Sequence, residues 1–237
     1  MRIAMWSGPR NLSTAMMYAF AQRADCAVLD EPFYAAYLAR TGLDHPMRER
    51  IIAAGEVDPD RVIAACLGSV PAEKPHFYQK HMTQHMLPGL PRDWLAEVTN
   101  VFLIRHPARV IASYAAKRET LTLDDIGFRQ QLELYEHAVS LGQTPVVIDS
   151  ADIRDDPRAA LTRLCAALGI GFDAAMLHWP SGGNRSDGVW AAHWYGAVHR
   201  STGFADPEAP LPVLDKSGND ILRLAMPIYE QLAERKI

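Results

Sequence analysis

Four short apolar runs, at residues 3–6, 27–30, 77–80 and 101–105, recur along the chain, each followed by a longer stretch of mixed character. A fifth run, 146–148, ends at Asp149. Continuous apolar runs of this length predict strands buried on both faces, which is the habit of parallel sheets covered by crossover helices. Apolar residues at helical spacing predict helices over 13–23, 107–117, 122–141, 156–168 and 219–234. Asp156 followed by Pro157 is a helix start, and Gly169 after Leu168 is a stop. From 179 to 212 the periodicity vanishes and Gly, Pro, Trp and His dominate. A segment that long reads as a lid or binding element of a single α/β domain spanning 1–237.

Composition narrows the class without naming it. The 237 residues are 49% hydrophobic and 22% charged, with a formal net charge of -4. An overall acidic chain argues against a broad nucleic-acid surface, so any polyanion site must be a local gathering of cations. No apolar run approaches membrane-spanning length, and Trp6-Ser7-Gly8-Pro9-Arg10 interrupts the first one too early for a secretory leader. Cys26, Cys66 and Cys165 sit in apolar contexts without paired spacing, which suits reduced thiols in a cytoplasm.

Candidate chemistry begins where the first run ends. Gly8-Pro9-Arg10-Asn11-Leu12-Ser13-Thr14 joins a strand to a helix. The first turn of a helix presents unpaired N–H groups and the positive end of the dipole, so it suits an anion. Arg10 adds a fixed bidentate cation, and Ser13 and Thr14 add hydroxyl donors. The loop lacks the second Gly and the Lys of a Walker A motif. A capped helix with Arg10 in water is the plainer reading. The fourth run ends in Arg105, followed by Pro107 and, on the next helix, Ser113; these can converge on one group over the sheet edge. Read separately, Arg105 pairs with a carboxylate and Ser113 packs as a small helix residue.

Taken together, the two segments resemble the sulfotransferases that use 3′-phosphoadenosine 5′-phosphosulfate (PAPS), and in particular a prokaryotic sulfotransferase-like subgroup. Their first motif is Pro-Lys-Ser-Gly-Thr-Thr, which grips the 5′-phosphosulfate. Pro9-Arg10-Asn11-Leu12-Ser13-Thr14 is similar, with Arg for Lys, Asn for Ser and Leu for Gly. Their second motif, Arg-x-Pro with Ser eight residues after the Arg, holds the 3′-phosphate and is matched by Arg105, Pro107 and Ser113. The resemblance implies a P-loop-type parallel sheet flanked by helices, PAPS or its desulfated product as ligand, no catalytic metal, and a small-molecule acceptor. It implies neither a nucleic acid nor a membrane partner and leaves the number of subunits open.

Four further residues become candidates on this footing. In the family a strand ending in Lys-x-His supplies a catalytic base; here Lys80 is followed at once by His81, with His85 beyond. His81 is the expected base, being a group that titrates near neutrality; a metal pair of His81 and His85 is the competing reading. Glu31, in Asp30-Glu31-Pro32, either orients the acceptor, acts as base if buried, or caps a helix. Arg185, in the Gly-rich stretch after Ser181, is expected over the 3′-phosphate, and Trp190, Trp194 and Tyr195 either stack a purine, form the acceptor wall or glue the loop to the core. The expected activity is sulfuryl transfer from PAPS to a hydroxyl or amine. The alternatives are a non-catalytic nucleotide-binding module on the same fold and, further off, a nucleotide-dependent kinase or hydrolase.

Overall fold

The computed structural model of the chain describes residues 1–115 and 121–237. Among these residues five strands, β1 (Arg2–Ser7), β2 (Cys26–Asp30), β3 (His76–Met82), β4 (Thr99–Ile104) and β5 (Val146–Asp149), form one sheet in the order β2-β3-β1-β4-β5. All pairings are parallel. Each run expected from the sequence is a strand; β4 stops at Ile104, which leaves Arg105 just beyond the sheet edge.

Helices α1 (Ser13–Ala21), α2 (Tyr34–Thr41), α3 (Arg48–Ala54) and α4 (Pro59–Leu67) lie between β1 and β3. Then come α5 (Pro107–Ala115), α6 (Phe128–Ser140), α7 (Ser150–Asp155), α8 (Pro157–Ala167), α9 (Ala191–Trp194), α10 (Gly196–His199) and α11 (Lys216–Ala233). The sequence pattern did not single out α2, α3, α4 or α7. Residues 116 and 117 of the expected 107–117 helix lie outside the described residues. The helix expected over 122–141 begins only at Phe128, because Gly127 adopts a left-handed φ of 70°. Gly127 also lies so close to Thr83 that an added Cβ would meet its Oγ1 at 2.4 Å. Glycine is required there and the helix cannot start earlier.

Alternation along the strands sorts the core into two faces. Met5, Tyr78, Val101 and Leu103 pack with Met16, Met17 and Phe20 of α1 and Leu161 and Leu164 of α8. Ala4, Trp6, Phe102 and Ile104 pack with Leu134 of α6 and Leu232 of α11. The 179–212 segment is less irregular than expected, since it holds α9 and α10. Trp179 anchors its start, edge-on to Tyr18 and Phe204. Among the described residues no helix is long and apolar enough to cross a membrane.

The same alternation sets the surroundings of His81, the base expected from the sequence. His81 pairs in register with Trp6, on the second face. Its ring stacks on the indole at 4.4 Å, its Nε2 bonds Gln79 Oε1 at 3.1 Å, and it is 1% exposed. Burial drives its pKa down to about 3. The unfolded chain therefore binds a proton below pH 6.5 that the folded chain refuses until about pH 3, so stability falls as the pH drops through that window. From this residue the loss between pH 7 and pH 5 is on the order of 2 kcal/mol. His81→Phe should flatten the pH dependence of denaturant-induced unfolding by that amount; equal slopes in the two proteins would show that His81 is not held neutral.

Candidate functional site

A cleft of about 370 Å³ opens where the strands end. Its first wall is the loop after β1. Gly8 passes so close to Ile126 that an added Cβ would meet the carbonyl oxygen at 2.3 Å. Arg10 and Leu12 both sit at left-handed φ, 64° and 71°, a conformation that costs L-residues roughly 1–2 kcal/mol. Such strain concentrates at functional loops. The turn aims the start of α1 into the cleft, where Ser13 and Thr14 line the wall. No side chain caps that helix at Leu12, and its first backbone acceptor bond goes from Met16 N to Leu12 O at 3.1 Å. The N–H groups before Met16 are left for an anion.

Next to this loop the guanidiniums collect. Arg10 Nε donates to Ser113 Oγ at 2.9 Å, and Arg105 Nη1 donates to the backbone oxygen of Arg10 at 2.6 Å. The two phosphate-type segments thus form one continuous site rather than two separate ones. Burial lowers the Arg10 pKa, and repulsion from Arg105 lowers it further. A charge held at that cost is favoured by an incoming anion. Arg105 also pairs with Glu208, a carboxylate from the end of the 179–212 segment, as do Arg109 and Arg154.

The opposite wall is a buried ion network. Lys80 Nζ lies 3.0 Å from Asp30 Oδ1 and 2.5 Å from Glu31 Oε1, and it also donates to the Tyr195 hydroxyl. Parallel register places Lys80 beside Asp30. Tyr195 donates to Asp30 Oδ1 at 2.8 Å and accepts from Trp190 Nε1 at 2.9 Å. Burial raises the Glu31 pKa, with Asp30 adding to it and Lys80 opposing. For Lys80 burial works downward, but the two carboxylates outweigh it and the ammonium stays charged. A lysine fixed in its charged form cannot accept a proton, whereas a carboxylate pushed upward becomes a stronger base.

Between the walls stand aromatic rings. The His85 imidazole is sandwiched between Tyr34 and Tyr37, at centroid distances of 4.6 and 4.7 Å, and Tyr34 hydroxyl meets His45 Nδ1 at 2.6 Å. His85 is buried and its pKa lies well below the usual histidine range, first through burial and then through His45, Lys80 and His81.

Comparisons with known proteins place this architecture. A sequence profile described as a sulfotransferase domain matches residues 1–236. The chain belongs to the sulfotransferase domain family. Its fold is similar to the crystal structure of a sulfotransferase from Alicyclobacillus acidocaldarius (TM-score 0.59, 12% identity, 100% of this chain and 96% of the other). It is also similar to a sulfotransferase domain from the curacin biosynthetic pathway (TM-score 0.52, 16% identity, 94% and 96%). Two Arabidopsis thaliana proteins, named branched-chain-amino-acid aminotransferase-like proteins 2 and 1, are 36% and 37% identical over 97% of this chain. The chain spans 41% of the length of each. The fold is the P-loop-like parallel α/β fold of sulfotransferase domains.

In this sulfotransferase domain the residues singled out from the sequence divide clearly. Pro9, Arg10, Asn11, Leu12, Ser13, Thr14, Glu31, Lys80, Arg105 and Ser113 line one cleft, and Gly8 shapes its loop. Leu12 holds its left-handed turn where the resembling motif has glycine. His81 does not reach the cleft, and exposed Arg185 is not among its lining residues. Sequence reasoning missed Asp30 as the second carboxylate on Lys80, and it missed Arg109, Arg154 and Glu208 entirely. Only the Asp30-Glu31 dipeptide offered a signal. Among the described residues no group of three or more His, Cys, Asp and Glu side chains could hold a metal ion. Replacing Lys80 by Met should leave two buried carboxylates without their cation and cost roughly 3–5 kcal/mol in denaturant unfolding; a loss below 1 kcal/mol would mean the network is hydrated and screened.

Proposed function

We propose that the chain transfers a sulfuryl group from PAPS to a hydroxyl or amine of a small-molecule acceptor. One observation carries the reading: the uncapped start of α1, the Arg10–Ser113 pair and Arg105 line the same cleft as the buried Glu31–Lys80 pair. An anion-binding wall therefore faces an acid–base wall across a space that suits a small ligand.

The donor set fits a nucleotide bearing two phosphate-type groups. The α1 amides with Ser13 and Thr14 suit the 5′ end, and Arg105 with Ser113 suits the 3′-phosphate. Bound there, PAPS supplies a sulfuryl group on a phosphate leaving oxygen. Arg10 and the α1 amides stabilise the negative charge that grows on that oxygen, in a site where little reorganisation is needed. Arg10 does not surrender a proton, so its part is electrostatic and not that of a general acid. Glu31 takes the proton from the acceptor, and Lys80 holds its carboxylate in place. Glu31 replaces His81 in this role, because His81 is closed off and His85 is too weakly basic. Tyr34, Tyr37 and Trp194 form the acceptor wall. Three buried free thiols suit a cytoplasmic setting.

Calorimetric titration with adenosine 3′,5′-bisphosphate, followed by a transfer assay with PAPS over hydroxyl and amine acceptors, tests the reading. Failure of both would remove it. Arg105→Ala should weaken binding of the bisphosphate by about 1.5–3 kcal/mol, the worth of charge-assisted hydrogen bonds. Glu31→Gln should leave that binding nearly intact and lower turnover roughly 10²–10⁴-fold. The wild-type rate should rise with pH through an inflection above the ordinary carboxyl value, as the raised Glu31 carboxyl ionises. A Glu31→Gln enzyme with unchanged turnover would assign the base elsewhere.

A further inference from the structure

Behind two arginines of the cleft lining, Arg105 and Arg154, sits a carboxylate, Glu208, that neither the nucleotide nor the acceptor chemistry calls for. Glu208 lies in a stretch without regular structure, and its neighbours Ala205, Asp206, Pro207, Ala209 and Pro210 are exposed. Its own side chain is only 5% exposed. Arg105 Nε donates to Oε1 at 2.9 Å, Arg154 Nη1 to the same oxygen at 3.2 Å, and Arg109 Nε stands 2.6 Å from Oε2. The arginines come from three places: the end of β4, the first part of α5, and α7. Two of them also grip the backbone on either side of Glu208. Arg154 Nε donates to Asp206 O at 2.7 Å, and Arg109 donates to Ala209 O.

Charge and geometry both mark the carboxylate as a poor match for what surrounds it. Three guanidiniums against one carboxylate leave two positive charges in excess, and Arg10 adjoins them. Oε2 is buried yet accepts no hydrogen bond of adequate geometry. A phosphate monoester offers three terminal oxygens and nearly two charges, which suits three forked donors better. The exposed stretch around Glu208 is fastened to the body largely by these same arginines, so whatever takes them also loosens it.

We propose that Arg105, Arg109 and Arg154 form a phosphate-monoester site that the chain's own Glu208 fills, so that a 3′-phosphorylated nucleotide binds by exchange with this carboxylate. This rests on the PAPS reading for the identity of the nucleotide, but not for the anion site itself. A tethered carboxylate competes at an effective concentration in the millimolar range. A ligand contributing a 3′-phosphate must displace it, whereas one lacking that group leaves it in place. Glu208 then sets how strongly the site distinguishes 3′-phosphorylated from unphosphorylated nucleotides.

The test compares wild type, Glu208→Gln and Glu208→Ala by calorimetry with adenosine 3′,5′-bisphosphate and adenosine 5′-phosphate. Glu208→Gln keeps the shape of the side chain and guards against a folding defect in the alanine variant. The expected result is at least ten-fold tighter binding of the bisphosphate in the variants, with the monophosphate unchanged. In wild type, amide hydrogen exchange over 204–213 should quicken on adding the bisphosphate and not the monophosphate. Equal or weaker bisphosphate binding in both variants would overturn the proposal and make Glu208 a fixed brace for the arginines. If neither nucleotide binds any of the three proteins, the PAPS reading falls, and inorganic phosphate decides the anion site. Phosphate that raises the melting temperature of Glu208→Gln more than that of wild type supports the exchange, and equal shifts overturn it.

Discussion

Because all five strands run the same way, each delivers its last residue to the same edge of the sheet. Here those ends carry Gly8, Glu31, Lys80, Arg105 and, through α7, Arg154. Charge is therefore concentrated on one edge of a small domain, and the rest of the site is the answer to that concentration. The edge separates by sign. Guanidiniums gather above β1, β4 and β5, while two carboxylates and one ammonium gather above β2 and β3.

Both gatherings are completed from the same late segment. Tyr195 closes the carboxylate–lysine network, and Glu208 closes the arginine cluster. A buried charge is tolerated only when paired and hydrogen-bonded, so the segment is part of the electrostatic structure of the site as well as part of its lining. The two attachments differ in kind. Tyr195 is buried and holds its place through Trp190, Asp30 and Glu31. Glu208 is an isolated buried side chain on an exposed strap.

Protonation in this site is decided by burial rather than by residue type. Histidine is ordinarily the side chain poised near neutrality. Here both histidines that follow Lys80 are enclosed, and burial removes their basicity. The same burial acts on Glu31 in the opposite direction, because it penalises the charged form of an acid and of a base alike. One physical cause makes both histidines harder to protonate and the carboxyl harder to ionise.

The five strands, the helices over most of their expected lengths and the two anion-type segments are legible in the order of residues. Apolar runs and helix-start chemistry are local properties, and they survive folding. Ser13, Thr14, Arg105 and Ser113 could be placed on the cleft for that reason: each lies a short, fixed distance from a strand end. The choice between Lys80 and His81 could not. Alternation dictates that neighbours face opposite ways, but which of them meets the cleft depends on the register with β1 and β2. Arg109, Arg154 and Glu208 are further beyond reach, lying on segments far apart in sequence whose encounter only the closed fold defines. The sequence by itself thus determined where strands end and which donors stand at those ends, because backbone and spacing set both. The tertiary structure alone decided which charges are buried together, and burial and pairing are what give them their chemistry.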